Sequence, residues 1–125
     1  MAAVRKILVV DDEEGVSQFL CDFLADRDFD VTTASSGKEA LEKVDSFQPS
    51  VVILDMVMPG MEGIECLQHI KKKNPHITVI MISALEDDEQ INKAKRYGAY
   101  NYIVKPFNLD YLESELMDLL GDAER

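Results

Sequence analysis

The sequence predicts an α/β fold with a parallel sheet, and three observations support this prediction. Five short apolar runs alternate with stretches of helical period, which is the pattern of consecutive βα units. Four of these runs end directly in a polar residue, as strands do when their carboxyl ends reach one rim of an open sheet. The length of 125 residues, with 46% hydrophobic and 30% charged residues, suits one globular domain with a sizeable core.

The first half of the chain predicts two strands and two helices. Residues 7–10 are uniformly apolar and predict the first strand, while residues 29–33 alternate and predict a second strand at an edge of the sheet. Ser36 and Glu39 form a capping-box pattern that begins the second helix, and residues 48–49 end it. In the first helix, apolar residues recur at helical spacing and predict a stripe against the sheet: Val16, Phe19, Leu20, Phe23 and Leu24.

The second half predicts three further strands and three helices. The apolar runs predict the strands: 50–55, 79–82 and 102–104. The third helix follows a turn at 59–63 and ends before Asn74, where Pro75 follows. The fourth helix begins in the acidic run 86–89, ends at Gly98 and has only a thin apolar stripe. Leucines at helical spacing predict the fifth helix: Leu109, Leu112, Leu116, Leu119 and Leu120.

Composition narrows the class of partner and the compartment. With 13 basic and 24 acidic residues, the net charge of −11 argues against binding to the phosphate backbone of a nucleic acid. Residues 1–6 lead into the first strand without an apolar stretch long enough for a signal peptide or a membrane span, so we expect a cytoplasmic protein. Cys21 and Cys66 are far apart, fit no metal-ligand pattern and are predicted to be reduced thiols.

Polar residues at the strand ends predict a functional site. Asp11 and Asp12 follow the first strand, Asp55 ends the third, Ser83 ends the fourth and Lys105 follows the fifth. Each has an ordinary interpretation alone, as the acidic first turn of a helix, a strand-terminating serine or a surface lysine. Together, three carboxylates, a hydroxyl and an ammonium suit a divalent cation and a phosphoryl group. The combination favours a phosphoacceptor site in which Asp55 attacks a phosphoryl donor.

These residues also stand in motifs that resemble a known family. The motifs are Asp11-Asp12, Asp55 within Leu-Asp-Met-Val-Met-Pro-Gly-Met-Glu-Gly, Ser83-Ala84, and Tyr102-Ile103-Val104-Lys105-Pro106-Phe107. In order, spacing and residue type they resemble the receiver domain of two-component response regulators over essentially the whole chain. The resemblance implies an α/β, flavodoxin-like, doubly wound sheet of five parallel strands in the order 2-1-3-4-5 with five helices. It also implies a single receiver domain over residues 1–125.

The resemblance implies a role for each residue of the rim. Asp55 would accept a phosphoryl group from a phosphohistidine on a sensor histidine kinase or a phosphotransfer protein. Ser83 and Lys105 would bind the phosphoryl oxygens. The cofactor would be Mg²⁺, or Mn²⁺, held by the following groups: Asp12, Asp55, the backbone carbonyl of Val57, and Asp11 through a water molecule.

The resemblance also implies a switch that controls partner binding. Ser83 would move toward the phosphoryl group, and the ring of Tyr102 would rotate into the vacated space. This motion would reshape the surface of the fourth helix, fifth strand and fifth helix, to which a downstream effector would bind. On that surface, basic residues of the fourth helix lie near an acidic fifth helix, and this opposition of charge also suits a phosphorylation-dependent homodimer. Pro106 restricts the backbone after Lys105, as in a tight turn. No nucleic acid or membrane is expected as a direct partner.

Three alternative functions make different predictions. A phosphatase of the haloacid dehalogenase type also uses Mg²⁺ and a strand-end carboxylate, but the order Asp11-Asp12-Glu13 differs from its Asp-x-Asp motif, and no cap domain fits in 125 residues. A flavodoxin-like electron carrier would need hydroxyl and amide groups where this chain has four acidic residues, 11–14. A constitutive interaction domain would not need the complete set of rim residues. We therefore expect a signalling switch whose only chemistry is its own phosphotransfer and dephosphorylation.

Overall fold

A computed structural model of the chain describes residues 5–56, 63–84, 87–105, 110–115 and 118. Its strands are β1 (Lys6–Val10), β2 (Asp30–Ala34), β3 (Val51–Asp55), β4 (Thr78–Ser83) and β5 (Asn101–Val104). Its helices are α1 (Glu14–Ala25), α2 (Gly37–Phe47), α3 (Gly63–Lys73) and α4 (Asp88–Arg96). Residues 110–115 and 118 are helical and lie where the sequence predicted the fifth helix, and they are labelled α5. Strands and helices alternate along the chain as the sequence predicted.

The five strands form one parallel sheet in the order β2-β1-β3-β4-β5. This order confirms the prediction of a flavodoxin-like, doubly wound α/β fold, and β2 lies at an edge as its alternating sequence predicted. Because β1 and β3 are neighbours and Val10 pairs with Leu54, the next residues, Asp11 and Asp55, reach the same rim together. In the described ranges, no helix is both long and apolar enough to cross a membrane.

Alternate residues of the central strands fill two apolar layers, one on each face of the sheet. Leu8 and Leu54 pack with buried residues of α2, α3 and α4 on one face. Ile7 and Ile53 pack with buried residues of α1 and with Leu112 of α5 on the other face. All five residues of β3 are buried, as expected for a strand covered on both faces. Tight packing around β3 therefore fixes the position of Asp55 at its end.

One part of the predicted α1 stripe is wrong. Leu20 and Leu24 are buried as predicted, but Phe19 is 53% exposed. Ser17 is buried in its place, because residues 17, 20 and 24 are spaced by three and four and share one face of the helix. Phe19 lies about 100° around the helix axis from Leu20 and therefore faces away from the core.

Side-chain caps begin two helices where the sequence predicted. Ser36 accepts a hydrogen bond from the Glu39 amide at 3.2 Å and caps α2. The carboxylate of Glu39 accepts from the amide of Ser35, one residue earlier than a capping box requires, and this hydrogen bond lowers the pKa of Glu39. Asp87 caps α4 by accepting hydrogen bonds from the amides of residues 89 and 90. The acidic run before α4 thus contributes a cap as well as favourable charge.

The two cysteines are free thiols in different environments, which leads to a prediction about their reactivity. Cys66 is fully buried in α3, and this burial, with the adjacent charge of Glu65, raises its pKa to about 12. Cys21 in α1 is partly exposed. Because the thiolate is the reactive form, a disulfide reagent at pH 8 is expected to modify Cys21 quickly and Cys66 only after unfolding. The chromophore that the reagent releases measures the fast modification of Cys21 and the slow modification of Cys66.

A Cys21→Ser variant provides the control for this prediction. It should lose the fast phase and keep the slow one, because only the buried thiol remains. Equal, fast modification of both thiols in the native wild-type protein would contradict the assigned burial of Cys66. As the pH rises above the ordinary pKa of a thiol, the raised pKa of Cys66 favours the unfolded state, so stability should fall in the alkaline range.

Candidate functional site

Four strand ends bring the predicted polar residues to one rim of the sheet. Asp55 and Ser83 are the last residues of β3 and β4, while Asp11 and Lys105 directly follow β1 and β5. Asp11, Asp55 and Ser83 are buried, at 4%, 6% and 1% exposure, which is unusual for polar side chains without partners. The rim is therefore a built polar site, and the sequence predicted which residues meet there.

The carboxylates of Asp11, Asp12 and Asp55 form an acidic cluster. One oxygen from each lies within 4.8 Å of the others. Carboxylates so close together repel one another unless a proton or a cation intervenes. Mg²⁺ and Mn²⁺ prefer oxygen ligands, and Mg²⁺ usually keeps several waters. Two buried carboxylates beside the exposed Asp12 fit that demand, because they provide ligands on one side and leave solvent on the other.

Lys105 supplies the positive charge of the site. Its Nζ lies 2.9 Å from Oδ2 of Asp11, 3.4 Å from Oδ2 of Asp55 and 3.7 Å from Oε1 of Glu13. Burial alone would lower the pKa of Lys105, but the hydrogen bond to Asp11 and the charges of Asp11, Asp55 and Glu13 together raise it. The ammonium therefore stays charged through the neutral range and compensates part of the carboxylate repulsion.

Every polar group of Asp11 has a partner. Its amide donates to the carbonyl of Ala34 at 3.1 Å, and its carbonyl accepts from Oγ of Ser17 at 3.2 Å. Its Oδ1 accepts from the amide of Glu13 at 2.9 Å, while its Oδ2 accepts from Lys105. Asp11 is thus held by two strands and by the start of α1, so its carboxylate has little freedom to move.

Tyr102 connects β5 to the site through Ser83. The ring is buried, and its hydroxyl forms a hydrogen bond with the side chain of Ser83. Burial raises the pKa of Tyr102 despite that hydrogen bond, with smaller contributions from the charges of Asp55 and Asp87. The hydroxyl of Tyr102 therefore contacts a serine at the same rim as Asp55.

Gly63 allows the start of α3 to pack directly against the end of β3. Its amide donates to the carbonyl of Met56 at 2.8 Å. A Cβ at this position would lie 2.5 Å from Cα of Met56 and 2.6 Å from the carbonyl oxygen of Asp55, closer than carbon atoms approach in real structures. Only glycine fits between the helix and the backbone that carries Asp55.

The structure places some site residues that the sequence analysis did not assign. Glu13 was predicted only as part of an acidic turn, yet its carboxylate reaches Lys105. Ser17 has no predicted role, although a polar residue in register with Leu20 and Leu24 is a usable signal. Two predicted residues, Val57 and Pro106, lie outside the described residues.

Comparison with known proteins assigns the family. The profile of the response regulator receiver domain matches residues 7–117, almost the whole chain. The chain belongs to this family. The match includes the five strands, apart from Lys6 at the start of β1, and the rim residues Asp11, Asp12, Asp55, Ser83 and Lys105. Membership in the receiver family gives no support to the alternative of a haloacid dehalogenase type phosphatase.

Individual receiver proteins resemble the chain at moderate identity. The chemotaxis protein CheY of Listeria monocytogenes is 40% identical over 106 residues, covering 84% of this chain and 89% of CheY. The regulatory protein AtoC of Escherichia coli is 37% identical over 112 residues, covering 90% of this chain but only 24% of AtoC. CheY from the CheX-CheY-BeF₃-Mg²⁺ complex of Borrelia burgdorferi superposes with a TM-score of 0.87 at 31% identity, covering 93% of this chain and 89% of that one.

Proposed function

We propose that this receiver domain is a phosphorylation-controlled signalling switch in which Asp55 is the phosphoacceptor. The donor is a phosphohistidine on a sensor histidine kinase or a phosphotransfer protein, and the reaction depends on Mg²⁺ or Mn²⁺. The main support is the arrangement at the rim, where a buried carboxylate at a strand end lies beside two further carboxylates and a lysine ammonium. These are the groups that phosphoryl transfer requires.

The residues of the rim account for each part of the transfer. An oxygen of Asp55 forms a bond to phosphorus while the bond from phosphorus to the donor imidazole nitrogen breaks, and the imidazole takes up a proton. Lys105 and the hydroxyl of Ser83 hold the phosphoryl oxygens, since an ammonium and a hydroxyl both donate hydrogen bonds. Asp11, Asp12, Asp55 and the carbonyl of Val57 form the proposed metal ligand set, with Asp11 acting through water. When bound, the cation neutralises charge on the transferring oxygens.

Labelling with a small phosphodonor tests this function. In the presence of Mg²⁺, acetyl phosphate is expected to give an acid-labile label on the wild-type protein, and a chelator should prevent it. A purified domain that stays unlabelled at saturating Mg²⁺, or that is labelled equally in chelator, contradicts the proposal. Sustained hydrolysis of a phosphomonoester by the same preparation would instead indicate a phosphatase.

The contact between Ser83 and Tyr102 supports the proposed switch. A phosphoryl group on Asp55 offers Ser83 a strong acceptor that competes with the hydroxyl of Tyr102. Release of that hydrogen bond allows the ring to rotate and changes the surface formed by α4, β5 and α5. The switch is therefore a local exchange of hydrogen-bond partners that biases a larger element.

Replacing Tyr102 with alanine is expected to separate phosphorylation from its response. Tyr102→Ala keeps the rim residues, so labelling by acetyl phosphate should remain close to that of the wild type. Amide NMR shifts induced by BeF₃⁻ and Mg²⁺ should persist near Asp55 but shrink in α4 and β5, because the ring no longer transmits the change. If the variant shows full wild-type shifts in α4 and β5, the role of Tyr102 is wrong.

The surface around β5 is the proposed partner site. The last turn of α4 carries the basic residues Lys93, Lys95 and Arg96. The described part of α5 carries acidic residues, of which Glu113 forms an ion pair with Arg27 after α1: Asp110, Glu113, Glu115 and Asp118. Such opposed charge suits a downstream effector or a phosphorylation-dependent homodimer. The Borrelia CheY described above was crystallised with the protein CheX in the presence of BeF₃⁻ and Mg²⁺. For this chain, sedimentation with and without BeF₃⁻ and Mg²⁺ measures self-association.

A further inference from the structure

Ser17 is a buried polar residue near the site that has no role in the proposed chemistry. Among the described residues, the buried polar or charged side chains are Asp11, Ser17, Asp55 and Ser83. The other three belong to the rim. Burying a hydroxyl costs free energy unless it forms a hydrogen bond, so a serine within the apolar face of α1 calls for a specific partner.

That partner lies outside the helix. A serine within a helix commonly donates to the carbonyl four residues earlier, here that of Glu13, which also accepts from the amide of Ser17 at 3.1 Å. Oγ of Ser17 instead donates to the carbonyl of Asp11 at 3.2 Å, in a buried position six residues earlier. This carbonyl belongs to the peptide group that joins Asp11 to Asp12.

The orientation of that peptide group matters most for Asp12. Asp11 is held through its own carboxylate by Glu13 and Lys105. In the part of the chain that the structure describes, the carboxylate of Asp12 has no hydrogen bond or ion pair. Its place in the acidic cluster, within 4.8 Å of Asp11 and Asp55, therefore depends on the backbone before it.

We propose that Ser17 is a positioning residue that holds the Asp11–Asp12 peptide group and thereby directs the Asp12 carboxylate toward the cation site. This inference rests on the proposed metal-dependent function. Without the hydroxyl, the Asp11 carbonyl is a buried acceptor that lacks a donor, and the peptide group tilts to recover one. Asp12 then moves with it, because backbone rotation at this peptide redirects the following residue.

Threonine and valine at position 17 give a matched test, because their side chains have nearly the same shape and a methyl group of valine replaces the hydroxyl of threonine. Mn²⁺ binding is followed by the electron paramagnetic resonance of the free ion. Ser17→Thr should bind Mn²⁺ close to wild-type affinity, whereas Ser17→Val should bind about tenfold more weakly, the lower end of the effect of removing a group that orients a ligand. Ser17→Ala, which adds no bulk, should behave like Ser17→Val.

Thermal unfolding without metal measures the stability of each variant. A loss of Mn²⁺ affinity in a variant that is still folded at the assay temperature then reports on positioning rather than on stability. Ser46 is an exposed serine in α2, so Ser46→Ala is a control for the same substitution in a helix far from Asp12. It should leave Mn²⁺ affinity unchanged. The inference is supported if the affinity of the folded variants follows the hydroxyl at position 17, and it is overturned if the threonine, valine and alanine variants bind Mn²⁺ equally well.

Asp12→Asn distinguishes failure of this inference from failure of the proposed function. If wild-type protein and Asp12→Asn bind Mn²⁺ equally weakly, the proposed metal site is wrong, and the role of Ser17 is overturned with it. If Asp12→Asn loses affinity but Ser17→Val does not, the metal site holds and only the positioning role is overturned.

Discussion

Asp55→Asn is expected to abolish labelling by acetyl phosphate completely while preserving the fold. Asparagine has nearly the same shape and fits the buried strand end, but its amide is not a nucleophile at neutral pH. Removing one carboxylate from the cluster also relieves repulsion with Asp11 and Asp12, which offsets the loss of the 3.4 Å contact to Lys105. Without Mg²⁺, the melting temperature should equal or exceed that of the wild type.

Intact-protein mass spectrometry and thermal unfolding measure these two effects. Glu14→Gln, which removes an exposed carboxylate of α1 outside the cluster, is the control and should be labelled normally. Persistent labelling of Asp55→Asn would show that another residue is the phosphoacceptor. A large loss of stability would show that the ion pair with Lys105 outweighs the repulsion within the acidic cluster.

Gly63→Ala is expected to have the largest effect on stability. The new Cβ would overlap the backbone of Asp55 and Met56, and backbone cannot move aside as a flexible side chain can. Overpacking of this kind lowers the free energy of unfolding by about 1–3 kcal/mol, and occasionally by more. Because the strain falls on Asp55, the last residue of β3, and on Met56 after it, labelling at Asp55 should also slow in the fraction that remains folded.

Gly15→Ala is the matched control for this substitution. Gly15 lies in α1, and no atom lies within 4 Å of where its Cβ would be. Alanine in place of a helical glycine raises stability by roughly 0.5–1 kcal/mol. In chemical denaturation, the unfolding midpoint should therefore fall for Gly63→Ala and rise for Gly15→Ala, each relative to the wild type. Equal stability of Gly63→Ala and the wild type would show that α3 can shift away from β3 at no cost.

The sheet and its rim could be predicted because they follow from local patterns. Each buried strand is an uninterrupted apolar run, and the first polar residue after it must lie at the rim. Parallel pairing then brings Asp11, Asp55, Ser83 and Lys105 together whatever the intervening loops do. To predict that Lys105 approaches Asp11, the strand order is needed as well, and the resemblance to receiver domains supplies that order.

Other features depend on angles and distances that a pattern of residue types does not contain. Phe19 fitted the apolar spacing of α1, but it lies beside the stripe rather than within it. The hydrogen bond from Ser17 to Asp11 depends on the angle at which α1 leaves the loop, and the requirement for glycine at Gly63 depends on a close approach between α3 and β3. These are tertiary relations, and they emerge only in the folded chain.

The strand order gives the two charged halves of the site different local stabilities. β1 and β3, which lead to Asp11 and Asp55, each have a strand on both sides, whereas β5, which leads to Lys105, pairs with β4 alone in the described sheet. An edge strand opens at a lower free-energy cost than a central strand, because fewer hydrogen bonds and apolar contacts must break. Transient opening of β5 would withdraw the ammonium while the carboxylates stay in place. Amide hydrogen exchange in β5 should therefore be faster than in β1 or β3, and Lys105, which is proposed to bind the phosphoryl oxygens, would be available only part of the time.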